Sequence, residues 1–323
     1  MTHNGIFPAR PVIASFAKAM LFAELLLWAG LVAWLGAAGW STPAALAVAV
    51  LLAALLRAGI IINTFTSSAA LAARVDAGPL PFGARVRLLA AETWWTAVTF
   101  SALIPFPRLG GSMDSALPYS GATPPVLLVH GYLCNHGVWR AMKRFLESCG
   151  VGAWTHAAEP VFAGIDDYVP ALAARIDAVL ECTKAPRLVL VGHSMGGLIL
   201  RAYLRAHGSR QVALCITLGT PHHGTRSARR GLGESARQMV PGSDWLKGLA
   251  HTESGGPPSP VVSIWSRHDN VVAPQESARL EEAENIALDG VGHMALVFSD
   301  VVQALVLEKT LGAARIVTTH APG

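Results

Sequence analysis

The sequence predicts an α/β fold, a mostly parallel sheet with helices on both faces, preceded by a hairpin of two membrane-length helices. Three observations carry this. Short apolar runs at 125–129, 187–191, 212–218 and 261–265 alternate with longer helical patterns, and strands that are apolar throughout belong to parallel sheets covered on both sides. The run at 187–191 passes through a tight glycine-bearing turn straight into a helical stretch at 197–204. Apolar residues make up 52% of the 323 and charged residues only 14%. The apolar excess is concentrated in the first hundred residues, which points to membrane segments rather than to an oversized core.

From the N-terminus, residues 19–40 are apolar apart from Glu24, and residues 43–62 apart from Arg57. Each stretch is about 20 residues, which as helix matches the roughly 30 Å of a bilayer core. The joint from Trp40 to Pro43 is short and uncharged. The pair therefore reads as a transmembrane hairpin rather than as a cleaved signal peptide. Glu24 and Arg57 both lie roughly 8 Å in from the same side at 1.5 Å per residue. Charges in that position are costly when alone, so the two are expected to pair.

A third apolar stretch, 88–105, contains Glu92, Thr93, Thr96, Thr99 and Ser101. It reads either as a marginal span or as an amphipathic helix lying in the interface. Residues 1–107 thus read as a membrane anchor and 108–124 as a Gly/Ser/Pro-rich linker. Residues 125–313 are long enough for one core. Within them 136–149 and 295–307 look helical, and 166–182 is amphipathic with Val169, Leu172, Ile176 and Val179 on one face.

The formal charge of +4 comes without an aromatic-interleaved basic stripe, which argues against nucleic acid as a partner. Arg226, Arg229 and Arg230 read as a solvated helix face. The four cysteines, Cys134, Cys149, Cys182 and Cys215, show neither CxxC nor metal-ligand spacing. Cys215 reads as a small core hydrophobe, while Cys134 follows a candidate site loop and could face it. Arg10 and Lys18 precede the first span, and Arg57, Arg74, Arg85 and Arg87 gather at or after the end of the second. By the positive-inside rule both flanks face the cytoplasm. If 88–105 lies flat, everything downstream is cytoplasmic. If it spans, the remainder is exported. Glu92 and a length of about 18 residues favour the flat arrangement.

The chemistry begins at Gly192-His193-Ser194-Met195-Gly196. Strand, sharp turn and helix is the setting a nucleophile elbow requires, and side chains at 192 or 196 would collide with the neighbouring strand and helix. Ser194 is the candidate nucleophile, and it needs a base oriented by an acid. Several histidines follow it. Only His293, in the Gly290-Val291-Gly292-His293-Met294 loop, sits in the last loop before the final helix. Asp269 follows the 261–265 strand directly, where functional groups gather at strand ends, and is the candidate acid ahead of Asp244 and Asp289. The backbone N–H groups of Tyr132 and Met195 are the candidate oxyanion donors. His130 is expected to hold the Tyr132 loop rather than to take part in chemistry.

The motifs Leu128-Val-His-Gly-Tyr-Leu133, Val191-Gly-His-Ser-Met-Gly-Gly197, Leu218-Gly-Thr-Pro-His-His-Gly-Thr225 and Ser263-Ile-Trp-Ser-Arg-His-Asp269 resemble the bacterial lipase and esterase branch of the α/β-hydrolase superfamily. The resemblance covers about residues 125–310 and leaves the first hundred outside it. It implies a lid inserted at about 226–260, an acyl-enzyme mechanism on Ser194, Asp269 and His293, no cofactor and no metal. The expectation is a serine hydrolase of lipid-like esters, anchored in a bacterial inner membrane. The alternatives are an acyltransferase or thioesterase on the same three residues, or a membrane adaptor that keeps the fold without catalysis.

Overall fold

The computed structural model describes residues 12–70, 78–121 and 123–319. Arg10 and Arg74, which enter the orientation argument, lie outside them. The chain opens with α1 (Val12–Ala37) and α2 (Thr42–Ala69), both long and apolar enough to cross a membrane. Ser41 stands in extended conformation before α2 and Pro43 occupies its first turn, where a missing N–H costs nothing. Both helices run longer than the apolar stretches alone suggest, because helix-tolerant residues continue past the hydrophobic ends. Their outer faces leave Leu25, Leu27, Trp34, Val50 and Leu55 largely exposed, as a lipid-facing surface would. Between the helices Arg57 Nη2 meets Glu24 Oε1 at 2.8 Å. Trp28 Nε1 donates to the same carboxylate at 3.2 Å, and Arg57 donates to Ser101 Oγ at 3.3 Å.

Next comes α3 (Phe82–Val98), continued by a π-helical turn, Thr99–Leu103. This stretch docks on the sheet-bearing half of the chain, an arrangement hydropathy alone does not reveal. Leu88 and Glu92 are buried, and Trp95 stacks flat on Phe298 with ring centroids 4.2 Å apart. Leu103 and Ile104 enter the same apolar cluster as Trp139 and Met142. The segment expected to be a linker is stapled down as well. The Met113 carbonyl accepts from Thr155 N at 2.8 Å, and Arg175 Nη2 reaches Asp114 at 2.7 Å.

The six strands are β1 (Val126–Val129), β2 (Ala153–His156), β3 (Leu188–His193), β4 (Val212–Leu218), β5 (Val261–Ser266) and β6 (Glu284–Leu288). They form one fully parallel sheet in the order β2-β1-β3-β4-β5-β6. Four correspond to the apolar runs. β2 and β6 are the additions; both are mixed in polarity and each lies at an edge of the sheet. On the faces lie α4 (Arg140–Ser148), α5 (Val169–Thr183), α6 (Met195–His207) and α10 (Asp300–Thr319). The last helical pattern is broken at Ser299, which leaves a four-residue α9 (Ala295–Phe298) ahead of α10.

The order places a switch between β1 and β3, since the chain moves to β2 on one side and to β4, β5 and β6 on the other. In open sheets of this kind the crevice at the carboxyl ends of the strands flanking that switch is where ligands bind. The 226–260 segment contributes α7 (Gly233–Gln238) and α8 (Asp244–Thr252). Met239, Leu246 and Leu249 are buried in the main core, and Arg201 on α6 pairs with the buried Glu253 at 3.0 Å. The second half of the expected lid therefore packs into the core, and Ala228, Ser235 and Ala236 of its first half are buried as well.

The Glu24–Arg57 contact yields a charge-swap test. Reversing either charge should lower accumulation of the protein in membranes, and reversing both should restore it. Additive losses measured by membrane fractionation would remove the pair from the account of the hairpin.

Candidate active site

β3 ends at His193 and α6 begins at Met195, which leaves one residue, Ser194, to make the turn. Ser194 has φ 55° and ψ −126°, a conformation that L-residues rarely adopt and that persists only when the surroundings enforce it. The two glycines of the motif meet the demand expected of them. A Cβ on Gly192 would lie 2.6 Å from Gly197 N, and one on Gly196 would lie 2.3 Å from the Val129 carbonyl oxygen of β1. Side chains at either position would push helix and strand apart. The loop after β1 comes equally close, since a Cβ on Gly131 would lie 2.8 Å from Ser194 Cβ and 3.4 Å from its Oγ.

His130 anchors that loop. Its Nε2 accepts from Ala158 N at 3.0 Å, so the ring proton sits on Nδ1, which donates to the Gly131 carbonyl at 3.0 Å. Burial lowers its pKa to about 4, so it is neutral and structural, as expected. Tyr132 follows, and its hydroxyl clamps Leu232 by donating to the carbonyl at 2.7 Å and accepting from the amide at 2.8 Å. Met195 N opens α6, where the first N–H groups of a helix have no acceptors within it. The two proposed donors thus come from the loop after β1 and from the first turn of α6, on either side of Ser194.

Asp269 and His293 meet where β5 and the loop after β6 come together. His293 Nδ1 lies 2.8 Å from Asp269 Oδ2, with the residues 4% and 2% exposed. The other carboxylate oxygen, Oδ1, accepts from Val271 N at 2.8 Å and Val272 N at 2.7 Å. Burial by itself would lower the pKa of His293. The charge and hydrogen bond of Asp269, aided by the charge of Glu92, outweigh burial and hold it above the ordinary histidine value. His193, next to Ser194, packs its ring 4.7 Å from that of His293 and donates from Nε2 to the His293 carbonyl at 3.1 Å. Gly219, at the end of β4, closes the group, since a Cβ there would lie 3.2 Å from Asp269 Oδ2 and 3.4 Å from His293 Nδ1.

The other acids stand elsewhere. Asp244 is exposed and pairs with Lys247 at 3.2 Å, and Asp289 pairs with Arg267 at 2.9 Å. Cys134 does not face the site. It is buried in the apolar core, and burial pushes its thiol to about 12. Two side chains that bond the His293 loop carry no clear signal of that contact in the sequence. Asn270 Oδ1 accepts from His293 N at 3.0 Å, and Glu92 accepts from the next two amides. Asn270 is adjacent to Asp269, but an asparagine in a loop carries no distinctive signal. Glu92 has one, a carboxylate inside an apolar stretch, but that signal speaks to membrane insertion and not to its partners.

Comparison with known proteins bears on the fold. Residues 124–235 match the family model described as the alpha/beta hydrolase fold. A triacylglycerol lipase of Burkholderia plantarii is 29% identical over 159 residues, covering 45% of this chain and 43% of that protein. Another from Pseudarthrobacter phenanthrenivorans is 31% identical over 118 residues, covering 34% and 37%. The chain thus spans less than half the length of these curated relatives. Among solved structures, a Bacillus licheniformis lipase in mature form superposes with a TM-score of 0.54 at 20% identity, covering 61% of this chain and 95% of that one. Lipase B of Aspergillus fumigatus gives 0.54 at 18%, covering 61% and 54%. The sheet-bearing half has the α/β-hydrolase fold. Residues 12–103, with the three N-terminal helices, lie outside the family match.

The raised pKa of His293 has a measurable consequence for any reaction that needs its neutral form. As pH falls through a pKa above the ordinary 6.5 or so, the base becomes protonated and kcat/KM should fall. A kcat/KM profile from about pH 5 to pH 9 should therefore show its acid limb above that reference. A limb below it would contradict the balance of burial and carboxylate charge described here.

Proposed function

We propose that this protein is a serine hydrolase of carboxylic esters with lipid-like acyl groups, held at a membrane by α1 and α2. The observation that carries the reading is the buried His293–Asp269 pair at 2.8 Å, set at the same sheet edge as a strained elbow serine. Ser194 Oγ attacks the ester carbonyl while His293 takes its proton. Asp269 fixes the imidazole with Nδ1–H toward the carboxylate and stabilises the imidazolium that forms. The N–H groups of Tyr132 and Met195 receive the oxyanion of the tetrahedral intermediate. His293 then returns the proton to the departing alcohol, and water, activated by the same base, releases the acid from the acyl-enzyme. Triacylglycerol lipases among the relatives support an acyl-ester substrate.

Ser194→Ala should keep the fold and lose ester hydrolysis by several orders of magnitude, together with labelling by a fluorophosphonate probe. His293→Ala should lose a similar amount and Asp269→Asn somewhat less, whereas Asp244→Asn and Asp289→Asn should keep wild-type turnover. Activity on p-nitrophenyl esters that survives Ser194→Ala would overturn the reading. A rise in kcat/KM with acyl length would support the lipid-like substrate.

In this reading the enzyme faces the cytoplasm. Lys18, Arg85 and Arg87 flank the hairpin on one side, and α3 turns its one carboxylate into the sheet-bearing half rather than toward lipid. Alkaline phosphatase fused after Pro107 should then be inactive, and a green fluorescent protein fused there should be bright. The opposite pair of results would make this an exported, three-span enzyme.

A further inference from the structure

Glu92 is 1% exposed, and among the described residues no lysine or arginine pairs with it. Its carboxylate is spent on two backbone amides 202 and 203 residues away. Met294 N donates to Oε1 at 3.0 Å and Ala295 N to Oε2 at 2.9 Å. The preceding amide, His293 N, donates to Asn270 Oδ1 at 3.0 Å, and Asn270 Nδ2 donates in turn to Thr64 Oγ1 of α2 at 2.9 Å. Three consecutive amides beginning at His293 are thus each held by a side-chain oxygen, and two of those oxygens belong to Glu92. Gly292 is where the close approach is made, since a Cβ there would lie 2.4 Å from Glu92 Oε2 and 2.6 Å from Cδ. The glycine before His293 lets the loop sit on the carboxylate. Three residues along α3, Trp95 stacks on Phe298 and fixes the helix against the same loop.

We propose that Glu92 is a positioning residue for His293, fixing the backbone on which the base stands and supplying a buried negative charge when its imidazolium forms. The inference rests on the reading of His293 as the general base. A carboxylate buried without a cation is costly unless its hydrogen bonds and a nearby positive charge offset the desolvation. Burial does raise the pKa of Glu92, against the two amides and against the charge that His293 carries when protonated. The relation is reciprocal, for Glu92 also favours the protonated imidazole. The charged or titratable groups that face His293 are Asp269, Glu92 and His193, and His193 is buried and held far below its ordinary pKa. Asp269 orients the ring from its Nδ1 edge, whereas Glu92 acts through the peptide behind it.

The test compares full-length wild type with Glu92→Gln, Glu92→Asp and Ser194→Ala on p-nitrophenyl butyrate in detergent solution, with thermal unfolding monitored in parallel. Glu92→Gln removes the charge and faces one of the two amides with an NH2 group. It should lower kcat roughly ten- to a hundredfold, leave KM within about twofold, and move the acid limb of kcat/KM to lower pH. Glu92→Asp keeps the charge and should retain the wild-type acid limb with a smaller loss of kcat. A folded Gln variant with wild-type kcat and limb would overturn the proposal, as would equal losses in both variants with neither limb displaced. If only the Asp variant folds, wild-type kcat there would overturn it, and a several-fold loss of kcat at unchanged KM would support it. Failure of both to fold would make Glu92 a stability residue and also overturn it. Ser194→Ala separates the two readings: if that variant stays active, the assignment of the base fails with it. If it is inactive while the Glu92 variants behave as wild type, only the positioning role fails.

Discussion

A histidine and a carboxylate buried together are costly unless hydrogen bonds offset their desolvation, and this requirement organises much of the carboxyl edge of the sheet. Asp269 spends one oxygen on His293 and the other on two amides of its own loop. The His293 loop is tied by Asn270 and Glu92, and its carbonyl receives the ring N–H of His193. An unpaired buried N–H costs about 1–3 kcal/mol. Leaving the three amides of residues 293–295 free would therefore draw the loop out toward water. The partners come from β3, from the loop after β5 and from α3, so the site depends on elements far apart in sequence.

The strained turn at Ser194 rests on the same over-determination. Ser194 N donates to the Leu218 carbonyl of the adjacent strand at 2.9 Å, and Gly197 N bonds back to the Ser194 carbonyl at 3.1 Å. With both flanking glycines pressed against backbone, the turn has nowhere to relax. Strain of this kind costs on the order of 1–3 kcal/mol, and it keeps the hydroxyl at the end of the sheet instead of folded into the helix. The loop bearing Tyr132 can then approach because residue 131 is glycine and because His130, neutral and doubly bonded, holds the loop from behind.

The central strands and the elbow were legible because their signals are local. β3, β4 and β5 are buried on both faces and read as continuous apolar runs. The glycines at 192 and 196 announce close packing by their spacing. Glu24 and Arg57 were legible as a pair because each stands alone in an apolar helix at matching depth. β2 and β6 were not, for Ala153-Trp-Thr-His156 and Glu284-Asn-Ile-Ala-Leu288 carry polar residues that break the apolar run, those of β2 being buried nonetheless. Glu92 stands out in the sequence as a carboxylate in an apolar stretch, but its partners do not. They are backbone amide donors some two hundred residues downstream, and no side-chain pattern encodes a backbone N–H.

Composition divides this chain into an apolar N-terminal segment and a globular remainder, but the contacts do not follow that division. Ile13 of α1 and Ile104 after the π turn enter the same apolar cluster as β1 and β3. Asn135 Nδ2 donates to the Ile104 carbonyl at 2.8 Å, and Gly137 sits so close to Leu103 that a Cβ would lie 2.6 Å from its carbonyl oxygen. These contacts fasten the loop after β1, which carries Tyr132, to the N-terminal helices, while Glu92 fastens the loop after β6, which carries His293, and Thr64 fastens Asn270 of the loop after β5. Both loops that flank Ser194 are thus held from the same side by the apolar segment. A helix hairpin that served only as a tether would need no polar contact with the loops around the serine. The contacts from Glu92, which holds the two amides after His293, and from Thr64, which holds the Asn270 side chain bonded to His293 N, make the segment part of the site's scaffold.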